Sequence, residues 1–191
     1  MPKASTDEHK SVLKTIRLHE SLVRSLEEEA AEEGTSVNSD VNSILGRHFD
    51  LNKRMREFGF VTTAKQTFVR LIEAVDDETL ARIGREAIPG MYEEMAELWF
   101  QGSSPEKIID AINLRLRFDA SMQGRITREG DMYSLVLRHD LGPKWSVLCE
   151  SAAREIAKRL FNTEPLINRG DSVVTARFRV KPKTKRATLP S

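Results

Sequence analysis

Two side chains near the amino terminus, Thr15 and Arg17, have the chemistry needed to recognise DNA bases. They lie in a segment, Val12 to His19, that alternates weakly between apolar and polar residues. In an extended strand, residues two apart point to the same side, so Thr15 and Arg17 share one face with Leu13. Arginine can bond bidentately to guanine, and threonine can contact a base edge or a thymine methyl group. The strand alone favours a plainer interpretation, an edge strand with a solvated arginine.

Two helices are predicted directly after this segment. Glu20 opens the first helix, and Gly34 supplies the left-handed residue that ends it. Ser36 and Asn38 are both suited to cap the start of the second helix. Apolar residues recur at helical spacing in both helices, at Leu22, Leu26 and Ala30 and then at Val41, Ile44, Leu45 and His48–Phe49.

The order of these pieces resembles the ribbon-helix-helix family of DNA-binding dimers, which includes the methionine and Arc repressors. The resemblance covers residues 11–49 and rests on KTIRL (14–18), the turn from Gly34 to Asn38, and the helix spacing between them. It implies that the strands of two chains pair, bury one face on the helices of both chains, and enter the major groove with the other face.

The resemblance also implies which residues contact DNA. The base contacts would be Leu13, Thr15 and Arg17. The phosphate contacts would be Lys10, Lys14 and the start of the second helix at Ser36, Val37 and Asn38, whose free amide groups suit an anion. Three residues depart from the family pattern: Leu13, where a polar residue is usual, His19, where a proline is common, and Asp40, where an apolar residue is usual.

Composition and charge exclude several classes of protein. The chain has 191 residues, 39% hydrophobic and 31% charged, which is typical of a globular protein. No apolar run approaches the roughly 20 residues of a membrane span, and the single cysteine fits a reducing cytoplasm. The net charge is +1, and residues 11–52 hold four basic against eight acidic residues, a net of −4. Any positive DNA-binding surface must therefore be local.

The rest of the chain predicts an α+β arrangement, a helical segment followed by β-β-α-β with an antiparallel sheet. Residues 51–60 continue the second helix and break at Gly59. Further helices are expected from Thr62 or Thr63, from Asp76, from Met91 to Phe100, from Ser104-Pro105, and from Gly142-Pro143 through Phe161. Strands are expected at 114–118, 125–128, 132–138 and 172–180, with a turn at 129–131.

This second region carries little that could do chemistry. Beyond residue 50 only His139 and Cys149 are soft metal ligands, so no metal site is expected. The segment from Arg138 to Trp145 is a candidate effector or partner site, formed by His139, Lys144 and Trp145. The alternative is a tight turn in which Asp140 caps a helix and Trp145 fills the core. Cys149 is expected to be a buried thiol, and no catalytic motif is visible, so neither an enzyme nor a cofactor is expected.

These expectations combine into one functional hypothesis. Residues 1–10 form a flexible terminus, 11–52 a ribbon-helix-helix domain, 53–180 an α+β domain for oligomerisation or effector sensing, and 181–191 a basic disordered tail. The protein is expected to be a cytoplasmic, homodimeric or higher-order transcription regulator that binds double-stranded DNA at a palindromic operator. A small molecule or protein could act as its effector. The alternative is an antitoxin of a toxin–antitoxin pair, although such proteins usually have short disordered tails.

Overall fold

A computed structural model describes residues 12–119 and 121–179 of the chain. The expectations for the flexible terminus, for Lys10 and for the basic tail lie outside these residues. The chain divides into two compact units after His48, whereas the sequence places a boundary after residue 52.

The first unit contains the two predicted helices, α1 (Glu20–Glu33) and α2 (Val37–Arg47). Gly34 ends α1 with φ of 66°, the left-handed conformation in which glycine has no steric penalty. Ser36 caps α2, because its side-chain oxygen accepts a hydrogen bond from the Ser39 amide at 3.2 Å. Both turn signals that the sequence provides are thus confirmed.

The segment before α1, residues 12–19, has no regular secondary structure, and all eight of its residues are exposed. No strand in the described part of the chain pairs with this segment. The strand inferred from its alternating pattern requires a second copy of the chain, so it stays a prediction.

The first unit buries very little apolar surface. Of its described residues, 12–48, Leu26 and Ala30 are the buried apolar side chains, and Asp40 is buried with them. Large apolar side chains remain exposed on this unit at Val12, Leu13, Ile16, Leu18, Leu22, Ile44 and Leu45. The apolar stripes that the sequence predicts are therefore present, but only a part of each stripe is covered.

Helical structure continues without a break after α2. A π-helical turn, His48–Asn52, leads into α3 (Lys53–Phe58). Gly59 then ends α3 with φ of 92°, as expected from the sequence.

The second unit adds five further helices, and most of them have local start signals. They are α4 (Lys65–Glu73), α5 (Asp77–Glu86), α6 (Ile88–Phe100), α7 (Pro105–Phe118) and α8 (Pro143–Phe161). Asp76 and Ser104 cap α5 and α7 by accepting the amides of Thr79 at 2.8 Å and Lys107 at 3.4 Å. Two predicted starts are wrong by a few residues.

The first of these corrections is that α4 begins after Ala64 and not at Thr62 or Thr63. The second is that α6 begins at Ile88 and not at Met91. Pro89 lies in the first turn of α6, where the amide that proline lacks has no helical partner, so it does not interrupt the helix.

The strand predicted at residues 114–118 is wrong, because these residues form the last turn of α7. Ile108, Ile112 and Leu116 recur every four residues and are all buried, which is the pattern of a helix packed on a core. Arg115 also forms an ion pair with Asp119 one turn later, at 3.1 Å. The alternation of leucine and arginine in this stretch therefore does not indicate a strand.

The sheet has four antiparallel strands, of which three overlap the strands predicted at 125–128, 132–138 and 172–180 and one was not predicted. They are β1 (Met122–Glu129), β2 (Met132–His139), β3 (Leu166–Arg169) and β4 (Val173–Arg179), in the order β1-β2-β4-β3. Gly130, with φ of 63°, turns the β1–β2 hairpin as expected. The observed order is therefore β-β-α-β-β and not the predicted β-β-α-β. β3 was missed because it has only four residues and shows no clear two-residue period.

Helices cover one face of the sheet, and the core lies between them. Its fully buried members include Met95, Ile108 and Val174. Gly84 allows α5 to pack closely on α8, because a Cβ atom there would lie 2.6 Å from the carbonyl oxygen of Leu148. The other face of the sheet is largely exposed and carries Arg125, Thr127, Arg138 and Arg177 on neighbouring strands.

Asn113 of α7 occupies the outer edge of β1. Its Nδ2 donates to the carbonyl oxygen of Ile126 at 3.2 Å, and its Oδ1 accepts from the Ile126 amide at 2.7 Å. A single side chain thus satisfies both backbone groups that an outer neighbouring strand would otherwise pair with.

Candidate nucleic-acid interface

The residues expected to read DNA bases are fully available to a partner. Leu13 is 95% exposed, and Thr15, Arg17 and the expected phosphate contact Lys14 are also exposed. Arg17 has no ion pair with another residue in the described ranges 12–119 and 121–179. Ile16 and Leu18, of the opposite parity, are 60% and 39% exposed.

The start of α2 has the local geometry of an anion site. Ser36 is extended, with φ of −107° and ψ of 146°, and its hydroxyl caps the helix as described. The amide groups in the first turn of any helix have no carbonyl partner within it, which leaves those of Val37 and Asn38 for an external acceptor. Ser36 and Asn38 are exposed, and Val37 is half-buried. The sequence prediction therefore corresponds to an accessible helix start.

Asp40 is the buried polar side chain of the first unit. The Thr35 hydroxyl donates to its Oδ1 at 2.6 Å, which ties the inter-helix turn to α2. Its other oxygen, Oδ2, is buried and has no partner among the described residues. Asp40 lies in the first turn of α2, where a carboxylate interacts favourably with the helix dipole.

Acidic charge on the first unit is concentrated along α1. Exposed carboxylates occupy most of its second half, at Glu27, Glu28, Glu29, Glu32 and Glu33. Near the start of α1, Arg24 forms an ion pair with Glu20 at 3.3 Å, and both side chains are exposed. The basic residues Lys14 and Arg17 precede the helix, so the negative net charge of this region comes largely from α1 and not from the segment before it.

In the second unit, Lys144 stabilises a turn between two helices. Its Nζ donates to the carbonyl oxygen of Glu73 at 2.9 Å and also to that of Val75. These carbonyls lie at the end of α4 and just beyond it, where carbonyl groups have no helical partner. The ammonium group that the sequence offers to an effector is thus engaged within the chain.

His139 is buried at the end of β2 and is held by two neighbours. Its Nε2 lies 2.8 Å from the Ser146 hydroxyl, and its Nδ1 accepts from the Leu141 amide at 3.5 Å. Burial lowers the pKa of His139, and the nearby Asp140 carboxylate works against this effect. An imidazole that accepts a backbone amide at Nδ1 must be unprotonated there, so the neutral form is favoured.

The expected capping role of Asp140 is wrong, because Gly142 precedes α8 as its N-cap. The Asp140 carboxylate instead binds the Lys65 ammonium at the start of α4, which lowers the pKa of this acid. Trp145, in the first turn of α8, packs edge-on against Phe68 with ring centroids 5.3 Å apart. Its indole Nε1 contacts Met122 Sδ at 3.3 Å. The cluster at 138–145 is therefore occupied by contacts that join α4, β2 and α8.

The structure also contains a cavity that the sequence patterns do not indicate. It has a volume of about 100 Å³ and lies between α6, α7, α8 and the covered face of the sheet. Its wall includes Met91, Tyr92, Arg115, Met122, Trp145 and Cys149.

Cys149 is a buried free thiol, as expected, and burial raises its pKa to about 12. Across residues 12–119 and 121–179, no three histidine, cysteine or acidic side chains are grouped as a metal site would need. Among the helices of these ranges, none combines the length and apolar character required to cross a bilayer.

No protein-family model matches the chain, and no curated protein has significant sequence similarity to it.

Proposed function

We propose that the protein is a sequence-specific DNA-binding regulator that acts as a homodimer through its first unit. One observation carries the proposal. The first unit buries two apolar side chains in a single chain, Leu26 and Ala30, while seven large apolar residues stay exposed. A unit of about 40 residues with so small a core does not fold stably without a disulfide, a metal or a partner. A second copy of the chain is the simplest partner.

The exposed apolar residues are distributed as a shared core requires. Ile16 and Leu18 lie on one parity of the segment 12–19, and Ile44 and Leu45 lie on α2. Pairing two such segments antiparallel satisfies their free backbone groups and turns Ile16 and Leu18 of both chains toward the helices. Leu13, Thr15 and Arg17 then face outward on a two-stranded ribbon, which has the width to enter a major groove.

The start of α2 supplies the second contact. Backbone amides of Val37 and Asn38 bind a phosphate on each side of the groove and fix the position of the ribbon, while Thr15 and Arg17 select the bases. Lys14 adds a phosphate contact. The acidic residues of α1 oppose general attraction to DNA, so weak non-specific binding and a marked dependence on salt are expected.

The second unit supports a regulator over an antitoxin. An antitoxin of this type usually ends in a short disordered segment, whereas here a four-stranded sheet and its helices form a separate core. A folded unit of this size provides room for oligomer contacts or for a ligand.

The test begins with selection of bound sequences from a random duplex library and continues with affinity measurements by fluorescence anisotropy. Arg17→Ala should lower affinity for the selected site by about 30-fold or more, because each bidentate arginine–guanine contact is worth about 1–3 kcal/mol and a dimer loses two. Affinity for random DNA should change far less. Arg24→Ala is the matched control, since it removes the same charge from α1 and should leave sequence preference intact.

The measurement should be made at physiological salt, with the dimer verified by sedimentation. Retention of full site affinity by Arg17→Ala would refute recognition through the ribbon. Selection of no sequence at all from the library would refute sequence-specific binding itself.

A further inference from the structure

The exposed face of the sheet in the second unit carries three arginines from three different strands. Arg125 lies on β1, Arg138 on β2 and Arg177 on β4, and all three side chains are exposed. Ile126 and Leu137, which are adjacent in sequence to two of these arginines, are buried in the core. Because side chains alternate between the two faces of a strand, the three guanidinium groups extend from the face opposite to the helices. These three arginines define the basic face of the sheet.

The strand register sets the distances between the three arginines. Arg125 pairs with Val136, which is two residues before Arg138 on β2. Arg177 pairs with Ser134, which is four residues before Arg138. With about 3.4 Å per residue and about 4.8 Å between strands, the Cα atom of Arg138 is about 8 Å from that of Arg125 and about 14 Å from that of Arg177. These separations are comparable with the widths of the two grooves of DNA, about 6 and 12 Å.

The positive charge of the basic face is not neutralised within the described ranges 12–119 and 121–179. None of its three arginines forms an ion pair with another residue of these ranges. A fourth outward-facing arginine, Arg179, pairs with Asp131 at 3.0 Å. Glu129 is the sole acidic residue among the outward-facing positions of strands β1 to β4. Because charges are screened over about 8 Å at physiological salt, these arginines act together and attract a polyanion.

The other outward-facing residues favour the backbone of a duplex over the bases of a single strand. Several have hydroxyl or amide groups that can donate to phosphate oxygens, namely Gln123, Thr127, Ser134, Asn168 and Thr175. Proteins that bind single strands stack the bases on aromatic side chains, and the outward-facing positions of strands β1 to β4 hold none. Arginine suits phosphate because its planar guanidinium can bond to two oxygens at once. Backbone phosphates therefore match both the charge and the side chains of this face.

We propose that the basic face binds the phosphate backbone of double-stranded DNA without reading its sequence. The choice of DNA as the polyanion rests on the proposed function, in which the first unit reads bases at an operator. The second unit adds affinity that is equal for all sequences and falls with salt, because each arginine–phosphate contact releases a counterion. This contribution offsets the acidic charge of α1, which opposes general attraction to DNA.

The test compares the full-length protein with two triple variants. The first replaces the three arginines of the basic face by glutamine, which removes the charge but keeps a long polar side chain. The second is the matched control and removes the same charge from exposed positions of α4 and α5, by Arg70→Gln, Arg82→Gln and Arg85→Gln. Circular dichroism and urea unfolding verify that both variants are folded before DNA is added.

Affinity for a labelled duplex of random sequence is measured by fluorescence anisotropy between about 50 and 200 mM salt. The basic-face variant should bind about tenfold more weakly than the unmodified protein at the lower salt, as expected for three exposed ion pairs. Its slope of log affinity against log salt should become shallower by about three per bound chain, since each lost contact accounts for about 0.9. The control variant should keep the slope of the unmodified protein.

This inference and the proposed function fail in different ways. Arg17→Ala should lose preference for the selected site, while its affinity for random duplex changes little. If no sequence is selected from the library but the basic-face variant still has the shallower slope, sequence reading is refuted and the basic face is supported. If a site is selected but the basic-face variant binds random duplex as the control does, the basic face alone is refuted.

Two competitors test the nature of the partner on the basic face. Poly-glutamate should displace the duplex only at a large excess of charge. Displacement at equal charge, lost in the basic-face variant, would overturn the proposal in favour of an acidic protein partner. Oligothymidine should bind more weakly than the duplex. Tighter binding of oligothymidine that depends on the three arginines would show that the face binds a single strand and not a duplex backbone.

Discussion

Asn113 should be one of the most sensitive positions in the second unit although it lies outside the main apolar core. Its side-chain amide pairs with both the amide and the carbonyl of Ile126 on β1, at 2.7 and 3.2 Å. Ile126 itself is only 8% exposed, so water cannot fully replace these bonds. Substitution of Asn113 by alanine leaves a donor and an acceptor of the backbone without partners.

The size of the effect follows from these two groups. Each partly buried backbone group left unsatisfied costs about 1–3 kcal/mol, and the exposed side of the strand edge admits some water, so a loss of about 3 kcal/mol is expected for Asn113→Ala. In a unit of this size such a loss lowers Tm by about 10 °C. Most surface substitutions change stability by less than about 0.5 kcal/mol.

Urea unfolding followed by tryptophan fluorescence measures this directly, because Trp99 and Trp145 both lie in the second unit. Asn168→Ala is the matched control, since Asn168 is exposed on the edge strand β3 and should unfold at the wild-type midpoint. A midpoint for Asn113→Ala that equals the control would refute the reasoning that one amide replaces a neighbouring strand.

Asn113→Asp tests the same pairing through the pH dependence of stability. A carboxylate can accept from the Ile126 amide but repels the Ile126 carbonyl, so the folded state should favour the protonated carboxyl and raise its pKa. The stability of this variant should therefore be greatest below the unfolded pKa of about 3.9 and should fall as pH rises through the folded pKa. A variant that instead gains stability with rising pH through this range would contradict the pairing geometry.

Three further outcomes are expected. Ile44→Ala should weaken dimerisation about 30-fold in analytical ultracentrifugation, because Ile44 is 48% exposed and its burial in a dimer would contribute about 1 kcal/mol per chain. Leu71→Ala in α4 is the control and should leave dimerisation unchanged. Equal dimer stability for the two variants would count against the shared core. Burial lowers the pKa of His139, so as pH falls the unfolded chain binds a proton at this residue before the folded chain does. The free energy of unfolding in urea should therefore decrease below about pH 6.5. If His139→Gln shows the same decrease with pH, this histidine is not its cause. Cys149, being buried, should react with an aromatic disulfide reagent only as fast as the second unit opens, and rapid labelling of the native protein would contradict its burial.

Local signals predicted much of the secondary structure. Gly34 and Gly59 end helices in the left-handed conformation, and Ser36, Asp76 and Ser104 cap the helices that follow. These assignments succeed because the hydrogen bond or the backbone angle is decided within four residues.

Assignments that depend on tertiary packing were less reliable. The alternation from Leu114 fits a strand and the last turn of a helix equally well, and the buried neighbours of Ile112 and Leu116 decide for the helix. β3 was missed for a different reason: it has four residues, too few to show a clear two-residue period, although it forms a local hairpin with β4.

The sequence predicted candidate sites from residue types, but it did not show which other residues these side chains contact in the fold. His139, Lys144 and Trp145 have suitable chemistry, but their polar atoms are engaged by Ser146, by backbone carbonyls and by Met122. The basic face of the sheet did not stand out, because its arginines come from three strands whose register the sequence does not show. The role of the exposed residues 12–19 in DNA recognition stays a prediction that a measurement with DNA can test.

The side-chain pairing at the edge of β1 also bears on the proposed dimer. A protein that joins through a strand must avoid joining through other strands, since an open edge accepts any chain with a suitable register. Here Asn113 fills part of one outer edge of the sheet, and the opposite edge, β3, is only four residues long. Mispairing between the sheets of two copies is therefore disfavoured, and in the proposed dimer this would leave the segment 12–19 with fewer competing strand edges.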